Sequence, residues 1–254
     1  MGVLHFDFMS DKLGYQTNIY VTLPDSVREG KKPQGILYLL HGGGGNGLDW
    51  LRNTCIERYA QPYELAVIMP EVDGSCFYAD MKHGYPYFQY LTEEVPAAME
   101  AMLPILKGVE NRYVAGLSMG GYGAFKWAFH KPGYFAAAAN LSGISFVVDL
   151  LADGEHNLNG KQQMIECNWG SLEELRGSDS DSKLWIDRAA EEKNQLPRLF
   201  AGIGKEDFSY AYSQDYMAYC KEKGIEIHYE EMTGGHDWNV WDTMIQRFMS
   251  WATQ

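Results

Sequence analysis

RYVAGLSMGGYGAFKWAFHK, residues 112–131, joins two kinds of pattern without a gap. RYVA is a short apolar run of strand type, and the residues from Met119 onward carry apolar positions at helical spacing until Pro132 stops them. Ser118 falls on the turn between, with Gly116 and Gly120 two residues to either side. In a chain with 27 glycines the G-x-S-x-G spacing means little by itself, so the context has to decide. A serine on a tight strand-to-helix turn is the arrangement of a nucleophile elbow, which lifts the hydroxyl clear of the sheet. The rival reading, a phosphate-cradling loop, lacks the Lys-Ser/Thr ending that such loops use to hold phosphate and metal.

The flanking segments extend the same rhythm. GILYLL (35–40) and LAVIM (65–69) are continuous apolar runs, which suit parallel strands covered by helices on both faces. Before them, Phe6 and Phe8, then Ile19, Val21 and Leu23, alternate with polar residues and predict two antiparallel strands that open the sheet. Short helical segments are expected in 50–61 and, with Pro96 in its first turn, in 93–107. Strands follow at 136–141, 198–203 and 225–232, with helices at 210–223 and 238–252. Alternating β and α elements predict an α/β-hydrolase-like fold: one mostly parallel sheet with helices on both faces, built as a single domain over 1–254. Residues 144–190, rich in Gly, Asp, Ser and Glu, break the rhythm and are expected as a small cap-like insertion over the active-site edge.

A serine hydroxyl needs a base, and the base needs an orienting acid. Of seven histidines, His236 in GGHDW lies between a strand and a helix and comes last, where the Ser…Asp…His order requires it. Asp207 in GKEDF follows the strand 198–203 and is the expected acid, with Glu206 as its alternative; Asp237 is expected to cap the last helix. The run HGGGG (41–45) follows a buried strand and offers bare backbone N–H groups to a developing oxyanion. Gly43 and Met119 are the expected donors, Gly44 the alternative, and His41 is read as a brace. Trp169, Trp185 and Trp238 are candidate substrate contacts that stack on sugar or phenolic groups, or else belong to the core.

Composition narrows the partners. A net charge of −13 argues against nucleic acid, since phosphate binding calls for clustered Lys and Arg. No window approaches the eighteen or so apolar residues of a membrane span, and residues 1–14 read as neither a signal peptide nor a myristoylation site. The scattered Cys55, Cys76, Cys167 and Cys220 form no C-x-x-C pair and suggest reduced thiols in a cytoplasmic chain. No metal or organic cofactor is called for. The expected partner is a small-molecule ester, with homo-oligomer formation left open.

Motifs spread over nearly the whole chain carry a resemblance: NIYVTLP (18–24), LYLLHGGGGN (37–46), YADMKHGYPYFQYLTEEVP (78–96), GLSMGGYGAFKWAF (116–129), NLSG (140–143), GKEDF (204–208) and GGHDWNVWD (234–242). Together they resemble the esterase D-type esterases, in particular the tributyrin esterase-like branch. The resemblance implies a serine carboxylesterase with Ser118, Asp207 and His236 as triad and the amides of Gly43 and Met119 as oxyanion hole. The substrates implied are short-chain acyl esters, of tributyrin type or on acetylated or feruloylated carbohydrates. S-Formylglutathione hydrolases and acyltransferases use the same triad and are the alternatives, although the Asp237-Trp238 that follows the histidine departs from the serine and aromatics typical of the former.

Overall fold

The computed structural model describes residues 2–143, 145–152, 160–193 and 195–254. Part of the expected insertion, including His156, lies outside the described residues. The strands are β1 (Gly2–Met9), β2 (Gln16–Leu23), β3 (Gly35–Leu40), β4 (Leu65–Pro70), β5 (Arg112–Leu117), β6 (Ala137–Leu141), β7 (Arg198–Gly204) and β8 (His228–Met232). The helices are α1 (Asp49–Asn53), α2 (Ile56–Ala60), α3 (Tyr87–Gln89), α4 (Val95–Met102), α5 (Met119–His130), α6 (Val147–Ala152), α7 (Lys161–Trp169), α8 (Leu172–Leu175), α9 (Ser182–Glu192), α10 (Tyr210–Glu222) and α11 (Trp238–Ala252). The strands form one sheet in the order β1-β2-β4-β3-β5-β6-β7-β8. β1 and β2 run antiparallel to their neighbours, and β4 through β8 pair in parallel. This is the α/β-hydrolase architecture that the sequence predicts.

β3 shows why its sequence is apolar without interruption. Ile36, Tyr38 and Leu40 enter one core with α4 and α5, while Leu37 and Leu39 enter a second with α1, α2 and α11. A strand buried on both faces has no polar position to spare. In β6 the residues on both faces are mainly alanine, which leaves room for α5 on one side and α11 on the other. α11 buries Val240, Trp241, Met244, Ile245, Phe248 and Met249 along one stripe. Among the described residues no helix is long and apolar enough to cross a membrane, and all four cysteines are free.

Two expectations on the elements need correction. The helix expected over 93–107 begins earlier, with α3 running through a wide π-type turn at Tyr90–Glu94 into α4. Pro96 has no N–H for the carbonyl of Thr92, which instead accepts from Lys131 Nζ at 2.9 Å. The last strand starts at His228 rather than 225, because Gly224 turns the chain at φ +74° and Ile225 N still donates to Cys220 O at 2.9 Å. The segment after β6 carries α6 to α9, which pack against the α5 side of the sheet, where Tyr122 Oη donates to Ser180 O at 2.6 Å.

Gly120 stands at the tight approach between α5 and the end of β3. A Cβ there would stand 2.5 Å from both Leu40 O and His41 O, backbone atoms that cannot swing aside. Gly120→Ala is expected to lower unfolding stability by roughly 3 kcal/mol and to abolish activity, measured by thermal unfolding alongside an ester assay.

Candidate active site

Ser118 has φ 53° and ψ −121°, a conformation disfavoured for any residue with a Cβ. The strain is held from three sides. Ser118 N donates to Leu141 O at 2.8 Å, β5 ends immediately before it, and α5 begins immediately after. Gly116 is required because a Cβ would fall 2.2 Å from Gly120 O. The turn therefore projects Oγ from the carboxyl edge of the sheet, at the N-terminus of a helix of 12 residues whose amides favour negative charge there.

His236 Nε2 lies 2.9 Å from Ser118 Oγ, and its Nδ1 lies 2.9 Å from Asp207 Oδ2. An ionised carboxylate can only accept, so Nδ1–H donates to Asp207 and the Nε2 lone pair faces the serine hydroxyl. The other carboxylate oxygen, Asp207 Oδ1, accepts from Ser209 N and Ser209 Oγ, both at 2.8 Å. Burial pushes the Asp207 carboxyl upward, but the bonds and charge of His236 and the bonds from Ser209 outweigh it and hold the group below the usual carboxylate range. The imidazole meets the edge of Trp241 at 5.0 Å between centroids and the ring of Phe208 at 4.6 Å.

The histidine loop is fixed by its neighbours. Glu206, the alternative acid, turns away from His236, and its Oε2 accepts from Gly234 N. Asp237 caps α11, its Oδ1 accepting from Asn239 N and Val240 N. Both expectations for these carboxylates follow from reach: only Asp207 faces the far ring nitrogen.

The glycine loop after β3 lies against the elbow. A Cβ on Gly42 would sit 3.4 Å from Ser118 Cβ, and one on Gly43 would sit 4.0 Å from Met119 Cβ. Thus the two expected oxyanion donors are neighbours in space. Gly44, the alternative donor, is corrected: it has φ +69° and spends its N–H on Gly74 O at 2.8 Å. His41 is fully buried, with Nε2 accepting from Val72 N at 3.1 Å and Nδ1 donating to Gly42 O at 2.8 Å. Burial lowers its pKa, so it stays neutral and braces the loop.

The tryptophans divide differently. Trp169 and Trp185 are 7% and 4% exposed and belong to the core, so the expectation that they stack on substrate is overturned. Trp169 packs on Phe77, while Trp185 packs on Tyr122 and His130 and donates its Nε1 to Asp179 O at 2.8 Å. Trp238 is half-buried, edge-on to Trp50 and Trp241, and lines a surface cleft of about 550 Å³ with Arg52, Cys55 and Asp242. Sequence reasoning missed Phe208, an exposed aromatic against His236 whose only signal was its place next to the acid. A larger cavity, of about 800 Å³, is lined by Arg198, His228 and Trp251 where β7 and β8 begin, the end of the strands opposite to Ser118.

Sheet order, elbow and glycine loop define an α/β-hydrolase. The chain belongs to the family described as "Putative esterase", whose model matches residues 10–249, and it is a serine hydrolase of the carboxylic ester class. It is 29% identical, over 100% of its length and 99% of the relative's, to an acetyl esterase of Caldicellulosiruptor saccharolyticus. The solved structure of FphF, a fluorophosphonate-binding serine hydrolase of Staphylococcus aureus, superposes with a TM-score of 0.90 at 32% identity, covering 100% of this chain and 98% of that one. The S-formylglutathione hydrolase FrmB of the same organism gives 0.87 at 33% identity, covering 100% and 99%.

Asp207→Asn is expected to lower kcat by about four orders of magnitude with the fold retained, because an amide can hold the imidazole in the wrong tautomer. Trp185→Ala is expected to act differently, costing roughly 3–5 kcal/mol of stability and lowering kcat/KM equally for small aryl esters and sugar esters in the fraction still folded.

Proposed function

We propose that this chain hydrolyses short-chain carboxylic esters through an acyl-enzyme on Ser118. The observation that carries the reading is the continuous relay Ser118–His236–Asp207, with both contacts at 2.9 Å, standing beside Gly43 and Met119. His236 Nε2 takes the hydroxyl proton as Ser118 Oγ bonds to the ester carbonyl carbon. The carbonyl oxygen gains the charge and is held by the N–H groups of Gly43 and Met119. Collapse breaks the bond to the alcohol oxygen, which leaves with the proton from His236. Water then enters, gives its proton to His236 and releases the acid, restoring Ser118. No step in this sequence draws on a metal or organic cofactor.

Acetyl and similarly short acyl groups are the favoured substrates, a reading supported by the full-length similarity to an acetyl esterase. The leaving group lies on the His236 side, where Phe208 offers an exposed aromatic face that suits a sugar or phenolic alcohol. The similarity to the staphylococcal S-formylglutathione hydrolase supports a thioesterase as the second reading. Transfer of the acyl group to an alcohol in place of water is the third, on the same residues. We place the enzyme in the cytoplasm as one unit over 1–254, acting on a small molecule and not on nucleic acid or membrane, with homo-oligomers compatible.

Ser118→Ala is expected to lose several orders of magnitude in turnover while remaining folded; retention of more than about a tenth of wild-type activity overturns the assignment. A panel of p-nitrophenyl acetate, butyrate and palmitate, acetylated xylo-oligosaccharides, methyl ferulate and S-formylglutathione then separates the readings. Acetyl and butyryl esters are expected to lead; a faster rate on palmitate contradicts the short-chain reading, and a dominant rate on S-formylglutathione selects the second.

A further inference from the structure

Lys126 lies two turns into α5 from Ser118, is 2% exposed and has no part in the chemistry above. A buried ammonium is costly, and this one has no carboxylate at ion-pair distance among the described residues. Its Nζ donates to Tyr78 O at 3.0 Å and to Ser180 Oγ at 3.0 Å, and it stands over the Phe88 ring at 4.5 Å. Three N–H groups thus meet two oxygens and one aromatic face, drawn from two segments remote in sequence. A methionine would fill similar space without any of these bonds, so packing alone does not call for lysine.

The carbonyl it holds belongs to a strained bend. Phe77 and Tyr78 have φ of 46° and 47°, two successive residues with side chains in the left-handed region. Such strain persists only where surrounding structure enforces it. Tyr78 is also fully buried, its ring packs against Gly123, and its hydroxyl donates to His41 O at 2.9 Å. Burial raises the phenol well above its ordinary range, so it remains a donor. His41 O shares its peptide plane with the Gly42 amide, one residue before the Gly43 amide.

We propose that Lys126 is a positioning residue for the oxyanion loop, its ammonium fixing the Phe77–Tyr78 bend so that Tyr78 fixes the carbonyl of His41 and hence the amide of Gly43. The inference rests on the reading of Ser118 and Gly43 given above. The ammonium form is the one that works, since it carries the third N–H and the charge that attracts the Tyr78 carbonyl. Burial pulls the Lys126 pKa down to about 8, partly opposed by Asp80, by Asp179 and by Cys76. The other titratable neighbour, His130, is one turn further along α5 and is itself lowered by burial and by the Lys126 charge. Because the folded state holds this lysine below its ordinary 10.5, losing the proton relieves the folded protein, and this group's contribution to stability rises with pH from about 8 toward 10.5. A fall in activity across that window is therefore not unfolding by this group.

The test compares kcat and KM for p-nitrophenyl acetate from mildly acidic to alkaline pH, spontaneous hydrolysis subtracted, in wild type, Lys126→Met and Tyr78→Phe, with thermal unfolding of each. Wild type is expected to lose kcat reversibly through pH of about 8. Lys126→Met is expected to show kcat lowered about tenfold at neutral pH, less than the loss of a whole oxyanion donor, with KM within about twofold and no alkaline inflection. Tyr78→Phe is expected to lower kcat in the same direction while keeping the inflection, and the double variant to lose less than the sum of the two. A wild-type profile flat through this region overturns the proposal even where Lys126→Met does not fold. So does a folded Lys126→Met with unchanged kcat, or one in which only KM or stability moves. Should Ser118→Ala stay active, the reading of the site itself fails; an inactive Ser118→Ala with an unaltered Lys126→Met removes only the role of Lys126.

Discussion

The active-site geometry depends on how closely the start of α5 approaches the end of β3. Gly120 presents its bare Cα to the carbonyls of Leu40 and His41, and any side chain there would occupy the same space as those two oxygens. The approach seats the elbow and the glycine loop against each other. The proposed nucleophile and oxyanion donors are therefore positioned by one backbone contact rather than by two independent loops. Asp207 and His236 come to the same edge from β7 and β8, several strands away, because in a parallel sheet every strand delivers its following loop to the same side.

Strain and charge at this edge are each compensated locally. Ser118, Phe77 and Tyr78 all hold left-handed φ values, and each is pinned by backbone hydrogen bonds or buried side chains of neighbouring elements. Asp207 is buried in a chain already carrying a net charge of −13, yet three hydrogen-bond donors, one from His236 and two from Ser209, leave its charged form favoured. A preorganised carboxylate keeps the imidazole in a single orientation, which is what lets one histidine serve both halves of an acyl-transfer cycle.

The segment after β6 illustrates the limit of reading composition as location. Its abundance of Gly, Asp, Ser and Glu suggests a solvated cap, but its apolar residues recur at helical spacing, and Ile165, Trp169, Leu175, Trp185 and Ile186 all point inward. The polar residues then do local work, as where Asp181 caps α9 through Lys183 N. Few apolar residues suffice when they are large and lie on one face.

Local sequence signals made the order of the elements and the elbow legible, and they pointed to Ser118, Asp207 and His236 as the proposed triad. These depend on local signals: strand runs buried on both faces, glycines where a Cβ cannot fit, and a chain order set by topology. Burial of Trp169 and Trp185, the commitment of the Gly44 amide to Gly74, the earlier start of the helix at Tyr87 and the face of Phe208 on His236 were decided only in three dimensions. Each depends on a partner far along the chain, and a residue's own neighbours in sequence carry no record of which distant group will stand across from it. Lys126 is the extreme case: in sequence it is one more charge on a helix, and only packing against Tyr78, Phe88 and Ser180 makes it part of the interior.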